Sequence, residues 1–251
     1  DDGVKELILV AQDVTRYGVD FDGKPHLTEL VRELEKLDFD WIRLLYLEPE
    51  VVDDELIAFV ANEPKVCKYM DVPLQHVDSA VLKRMNRHTT EESTRELVRK
   101  IKAAGITLRT SFISGFPGES EEAHARLAAF LREAEIDFAG VFAYSREEGT
   151  PADRMRGHLD EDVKRARADE LRAIETEVIE ANCLRRVGRT LKVIADGIDY
   201  DRQCFVGHTE RQTPDVDNVV YFTSDGEVRV GEFYDVAVTS CDGIDLIGRT
   251  I

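Results

Sequence analysis

Five apolar, β-prone runs, KELILVA (5–11), WIRLLYL (41–47), VCKYMDV (66–72), ITLRTSFI (106–113) and FAGVFAYS (138–145), alternate with stretches whose apolar residues recur at helical spacing. The helical stretches are HLTELVRELEKL (26–37), VVDDELIAFVAN (51–62), DSAVLKRM (78–85), TEESTRELVRKIKAAG (90–105) and EEAHARLAAFLREAE (121–135). Strands that alternate with helices at this spacing form βαβ units around a parallel sheet. A closed (βα)8 barrel needs eight strands, so five predict an α/β fold built on an open, partial TIM-like barrel.

From Leu159 to Gly188 the chain reads as one long helix, with apolar residues at Val163, Ala166, Leu171, Ile174 and Val178 on a charge-laced background. Asp160 suits its N-cap and Gly188 its stop. Roughly 27 helical residues at 1.5 Å each span about 40 Å, enough to cross one domain face and reach a second module. The composition then changes to short alternating stretches, LKVIADGI, CFVGHT, VVYFTS, EVRVGEFYDVAVTS and DLIGRTI, punctuated by Asp-Gly, Pro and Asn. These predict a small all-β barrel of about five strands. The expected division is residues 1–186 for the partial barrel with its linking helix and 187–251 for the β-barrel.

Of the 251 residues, 43% are hydrophobic and 33% charged, as in a soluble globular chain. No run of about 18 apolar residues and no signal-peptide pattern occurs, so a cytoplasmic protein with no membrane partner is expected, as a monomer. The first residues, Asp1-Asp2-Gly3, run straight into KELILVA as though the chain continued a longer protein. Cys67, Cys183, Cys204 and Cys241 are far apart and form no CxxC pair, which argues against a disulfide framework or a zinc site. A net charge of −18 disfavours nonspecific binding to nucleic acid and favours a basic protein partner.

Polar residues cluster where each strand should end: Gln12-Asp13 after the first, Glu48 after the second, Gln75-His76 after the third, GFPGE (115–119) after the fourth, and Arg146-Glu147-Glu148 after the fifth. Parallel α/β folds place ligands at that rim. Each residue taken singly also reads as a helix cap or a solvated loop. Asp13, Glu48 and His76 admit a metal-dependent hydrolase, and Cys204, His208 and Cys241 a zinc site, but no spacing supports either; no resident metal ligand is expected. A non-catalytic binding module is a further reading.

The ordered stretches LILVAQDVTRYGVD, DVPLQHVDSAVLKRMNRHTT, LRTSFISGFPGESEEAHARL and FAYSREEGTPA closely resemble the radical S-adenosylmethionine methylthiotransferases, and VGRTLKVIADG and GHTERQTPDVDNVVYF resemble the OB-like TRAM domain that closes these enzymes. The likeness is greatest to the branch that methylthiolates an aspartate of a small-subunit ribosomal protein, rather than to the sister branch acting on tRNA. It implies S-adenosylmethionine as cofactor, with Ile113, Gly115, Phe116 and Pro117 shaping the adenosyl site, Gln12 and Asp13 meeting the methionyl amino group, and Gln75 and His76 near the ribose or substrate. Gly115 is expected to leave room for the cofactor by lacking a Cβ. Arg109 shares a face with Ser111 and Ile113 and serves either a carboxylate of the ligand or a structural salt bridge. The family also needs a CxxxCxxC loop for a [4Fe-4S] cluster, which this chain lacks, so a carboxyl-terminal fragment missing its first strand is expected. Glu48 stands where an aromatic or histidine is expected. Between 187 and 251 six Lys and Arg face twelve Asp and Glu, which makes a basic ribosomal protein a better partner than tRNA.

Overall fold

A computed structural model describes residues 3–251; Asp1 and Asp2, at the expected junction with preceding sequence, lie outside the described residues. Strands β1 (Glu6–Leu9), β2 (Trp41–Leu44), β3 (Tyr69–Asp71), β4 (Thr107–Ser114) and β5 (Phe138–Ala143) alternate with helices α1 (Val19–Asp22), α2 (Leu27–Leu34), α3 (Asp54–Asn62), α4 (Ser79–Arg84), α5 (Glu91–Ala103) and α6 (Glu121–Ala134). β1 pairs with β2, and β3, β4 and β5 form a second ladder, all parallel. A parallel bridge between Ile42 and Val66, with Leu47 N donating to Asp71 O at 2.8 Å, joins the two into one open, partial barrel.

Local chemistry sets the helix starts. The Asp53 carboxylate accepts from Leu56 N at the start of α3, Asp78 accepts from Ala80 N and Val81 N at α4, and Ser120 accepts from Ala123 N at α6. Thr90 and Ser93 form a reciprocal capping box on α5. The buried stripes Leu97, Val98 and Ile101 on α5 and Leu127, Phe130 and Leu131 on α6 cover the outer face of the wall, where Leu108 and Phe112 are fully buried. Each such side chain contributes about 1.5–3 kcal/mol on leaving water.

Helix α7 (Glu161–Leu184) is 24 residues long. Its inward face is Lys164, Arg167, Ala168, Leu171, Ile174, Ile179 and Cys183, while Val163 stays 38% exposed. Two cations thus occupy inner positions that apolar patterning alone leaves outside. The chain continues as β6 (Thr190–Asp199), β7 (Cys204–His208), β8 (Val220–Thr223), β9 (Phe233–Asp242) and β10 (Asp245–Thr250), which close into a barrel in the order β10-β8-β7-β6-β9. Val193, Val220, Phe222, Val236 and Leu246 fill it, and Ile179 and Cys183 of α7 join the same cluster. Among the described residues no helix is long and apolar enough to cross a membrane.

Candidate functional site

Alternation along the strands gives the inner face of the partial barrel two levels. On the lower level Arg43 is fully buried; its Nε donates to Glu6 at 2.6 Å, and Nη1 and Nη2 donate to the carbonyls of Glu210 and Thr209. Tyr69 donates to Asp217 at 2.7 Å, and His208 lies between Glu6 and Asp196. Trp41 packs on Phe233 with ring centroids 4.7 Å apart. The β-barrel domain therefore plugs the floor. On the upper level Ser111 and Ile113 are opposite Gly140 and Phe142 in register, and Phe142 is 55% exposed. That level is open.

At the rim the chain leaves three successive strands through left-handed backbone: Tyr46 at φ 59°, Gln75 at φ 67° and Gly115 at φ 79°. For the two non-glycine residues this is a strained conformation that surrounding structure must hold. Gln75 is held through its backbone, N–H donating to Ser111 O and O accepting from Ile113 N, both at 2.8 Å.

Glu119 holds the GFPGE turn. Its fully buried carboxylate accepts from Gly115 N at 2.7 Å and from Arg167 Nη1 at 2.8 Å, with His76 Nε2 at 3.5 Å and His124 Nδ1 at 3.7 Å. Burial works to raise its pKa, but His76, the Gly115 N–H and Arg167 win and hold it below the usual carboxylate range. Lys164 Nζ donates to Tyr144 O at 3.1 Å, and Tyr144 in turn meets the edge of Phe116, with centroids 5.1 Å apart. α7 thus clamps the turn through its two inward cations.

Ile113, Phe116 and Gln75 converge on a cleft of about 700 Å³ whose other walls include Arg84, Met85 and Met155. Pro117 is buried and its carbonyl accepts from Arg84 Nε at 2.6 Å. Gly115 corrects the expectation placed on it: a Cβ there would meet Lys164 Cβ at 2.9 Å and Lys164 Cα at 3.2 Å, so the glycine makes room for α7 and not for a ligand. His76 corrects another. It is fully buried, its Nδ1 accepts from Asp78 N at 2.9 Å, and its Nε2–H faces Glu119, so it supports the turn from behind. Arg109 belongs to the floor, 3.0 Å from Asp71 and 3.4 Å from Asp217, the structural alternative of its two readings. Gln12 is exposed past β1, whereas Asp13 is engaged as a cap, accepting from Thr15 N and Arg16 Nε. Glu48 pairs with Arg87 at 2.8 Å.

The lining suits an adenosyl group, with apolar surface from Ile113 and Phe116 for the base and the Gln75 amide for polar edges. The cysteines do not suit an iron-sulfur cluster. Cys67 and Cys183 are buried, and burial pushes their thiols up to about 12 and about 11; Cys204 and Cys241 are half-buried in the β-barrel domain. Among the described residues no three His, Cys, Asp or Glu side chains converge in a metal-binding group, so Asp13, Glu48 and His76 do not meet as the hydrolase reading required.

An open parallel α/β barrel with a cleft at its carboxyl edge, fastened to a five-stranded β-barrel, defines the class. Residues 1–131 match the radical SAM superfamily and residues 187–251 match the TRAM domain. The chain belongs to the radical SAM superfamily. It is 44% identical over 99% of its length to the ribosomal protein uS12 methylthiotransferase RimO of Acetivibrio thermocellus, covering 56% of that protein, and equally to the RimO of Geobacter sulfurreducens. The RimO of Elusimicrobium minutum is 41% identical, with 57% of it covered. The chain thus spans about half the length of the curated relatives it matches. Among solved structures, Escherichia coli coproporphyrinogen III oxidase (HemN), a radical SAM enzyme, aligns over 61% of this chain and 36% of its own, at 20% identity and a TM-score of 0.50. That likeness concerns the fold alone.

Sequence reasoning missed Glu119 as the hub of the turn and Lys164 and Arg167 as its clamp. The signal was present: 164, 167, 168, 171 and 174 are spaced as one helix face, and only the preference for apolar residues hid it.

Proposed function

We propose that this chain is the part of a ribosomal protein methylthiotransferase that binds the adenosyl group of S-adenosylmethionine and presents an aspartate of the small-subunit protein uS12. The observation that carries the reading is the apolar cleft at the GFPGE turn, in a chain 44% identical over 99% of its length to RimO. When bound, S-adenosylmethionine supplies the adenosyl and methyl groups; Ile113 and Phe116 orient the base and Gln75 its polar edge. The four cysteines are not assigned to a [4Fe-4S] cluster, so anaerobic reconstitution of the chain should give no stoichiometric cysteine-bound iron. The six-to-twelve charge balance of residues 187–251 supports a basic protein partner over tRNA.

Titration with S-adenosylmethionine followed by NMR tests the site. The Ile113 methyl and Phe116 ring signals should move, while the Trp41 indole at the floor should not. A silent Ile113 and Phe116 at saturating cofactor overturns the reading.

A further inference from the structure

The outer lip of the cleft carries a charge opposite to that of the molecule. α4 ends in Lys83-Arg84, and the short turn Ala152–Arg154 runs on into Met155-Arg156. Arg84 draws these segments together, its Nη2 donating to Arg156 O at 2.8 Å and its Nε to Pro117 O at 2.6 Å. Both acceptors are backbone carbonyls, so the guanidinium charge is not neutralised. The nearby carboxylates are engaged elsewhere: Glu48 holds Arg87 at 2.8 Å and Asp153 holds Arg146 at 2.7 Å. Among the described residues Lys83, Arg84, Arg154 and Arg156 have no carboxylate within salt-bridge reach, in a chain whose net charge is −18. Lone surface cations are ordinary. Here, however, Lys83 and Arg84 line one concavity beside the apolar wall of Ile113, Phe116 and Met155, and Arg154 and Arg156 lie on the adjoining segment that Arg84 ties to it, so together they form a receptor for an anion on an apolar stem.

We propose that this lip, Lys83 and Arg84 with Arg154 and Arg156, receives the carboxylate of the acceptor aspartate at the mouth of the cleft, beside the adenosyl group that rests on Ile113 and Phe116. The assignment rests on the methylthiotransferase reading above and adds the residues that select the acceptor. A guanidinium fork binds phosphate as readily as carboxylate. Beyond the lip, however, the protein is strongly acidic and would repel a polyphosphate backbone, whereas one carboxylate on a basic polypeptide satisfies both charges. The cofactor's own carboxylate is a second source of the same chemistry.

The test compares the parent chain with the double variant Lys83→Gln, Arg156→Gln. Both side chains are exposed, and Arg84 keeps its carbonyl bonds. The probes are uS12, uS12 with its acceptor aspartate changed to asparagine, S-adenosylmethionine and total tRNA. The parent should bind the aspartate form about tenfold more tightly than the asparagine form, and the variant should lose that preference while binding S-adenosylmethionine as before. Equal binding of the two forms by the parent, or a preference retained in the variant, overturns the proposal. Weaker S-adenosylmethionine binding by the variant overturns it by giving the lip to the cofactor, and tRNA displacing uS12 overturns it in favour of phosphate. If neither uS12 form binds while the cofactor still moves Ile113 and Phe116, the lip proposal falls and the cofactor site stands. An aspartate preference that depends on Lys83 and Arg156 without any response to S-adenosylmethionine supports the lip and removes the cofactor reading.

Discussion

The two levels of the barrel's inner face are built from the same strands and obey opposite rules. On the floor every charge has a partner: Arg43 has Glu6, His208 has Glu6 and Asp196, Arg109 has Asp71 and Asp217. At the rim, Lys83 and Arg84 stand without carboxylates, two non-glycine residues hold left-handed backbone, and Phe142 faces solvent. Pairing turns the floor into a rigid joint between domains. Its lack at the rim is what leaves binding energy for a ligand.

The largest predicted effect breaks the floor. Arg43→Ala leaves Glu6 buried without one of its two cationic partners and removes the bonds to Thr209 and Glu210, so it should cost about 3–5 kcal/mol in urea unfolding. The rim pair offers the control: Arg87 and Glu48 are 30% and 21% exposed, and Arg87→Ala should cost less than about 1 kcal/mol. Comparable losses at the two sites would erase the distinction between the levels.

Gly115→Val strikes the clamp between α7 and the rim. A side chain at φ 79° is strained, and its Cβ meets Lys164, so a loss of about 1–3 kcal/mol is expected. Lys164→Ala removes the flexible part of that obstacle, so the double variant should lose less than the sum of the singles. Strict additivity would mean that backbone strain alone accounts for the cost.

Much of this was legible in the sequence. The five parallel strands and the closed β-barrel follow from hydrophobic periodicity, because burial on one or two faces imprints the pattern directly. The site was legible only as a place. Ile113, Phe116 and Gln75 line the cleft, but Arg109 faces a carboxylate 217 residues into the chain, and no local pattern records that pairing. His76 sits at a strand end, where residues reach the rim, yet the Asp78 N–H turns its ring inward. Nor does the sequence around Gly115 show that its neighbour is Lys164, on a helix whose buried face includes cations that apolar patterning places outside.

A smaller effect sharpens the seam where α7, β5 and the β-barrel domain meet. Burial pushes the Glu175 carboxyl up to about 7, which its bond from Ala139 N only partly offsets. The folded state therefore keeps the proton that the unfolded chain releases near 4.5, and stability falls as pH rises from about 4.5 through 7. Glu175→Gln can still accept from Ala139 N and does not ionise. It should come close to the parent at about pH 4 and exceed it by roughly 1–3 kcal/mol at pH 8. A difference that does not change between those pH values rules out the buried acid.

The smallest effect concerns the floor's histidine and is best read in that same Glu175→Gln background, because Glu175 also loses stability across neutral pH. Burial works to lower the His208 pKa, but bonds to Asp196 and Glu6 raise it above its usual value. A raised folded value means that His208 contributes fully below about 6.5, and that the contribution fades as pH rises through the folded pKa. Glu6 runs the other way. Burial tends to raise its pKa, yet His208 and Arg43 bring it below the usual 4.5, so its share is present above that value and is lost as acid titrates it. The joint should accordingly be tightest between about pH 4.5 and 6.5 and weaken by about 1 kcal/mol on the alkaline side. Trp41 reports locally, its ring centroid 5.9 Å from that of His208. Urea midpoints followed by its fluorescence should fall between pH 6 and 9 in Glu175→Gln and stay level in Glu175→Gln with His208→Gln; a midpoint that rises with pH in the first would mean that the imidazole is bound neutral and that the floor is not held by its charge.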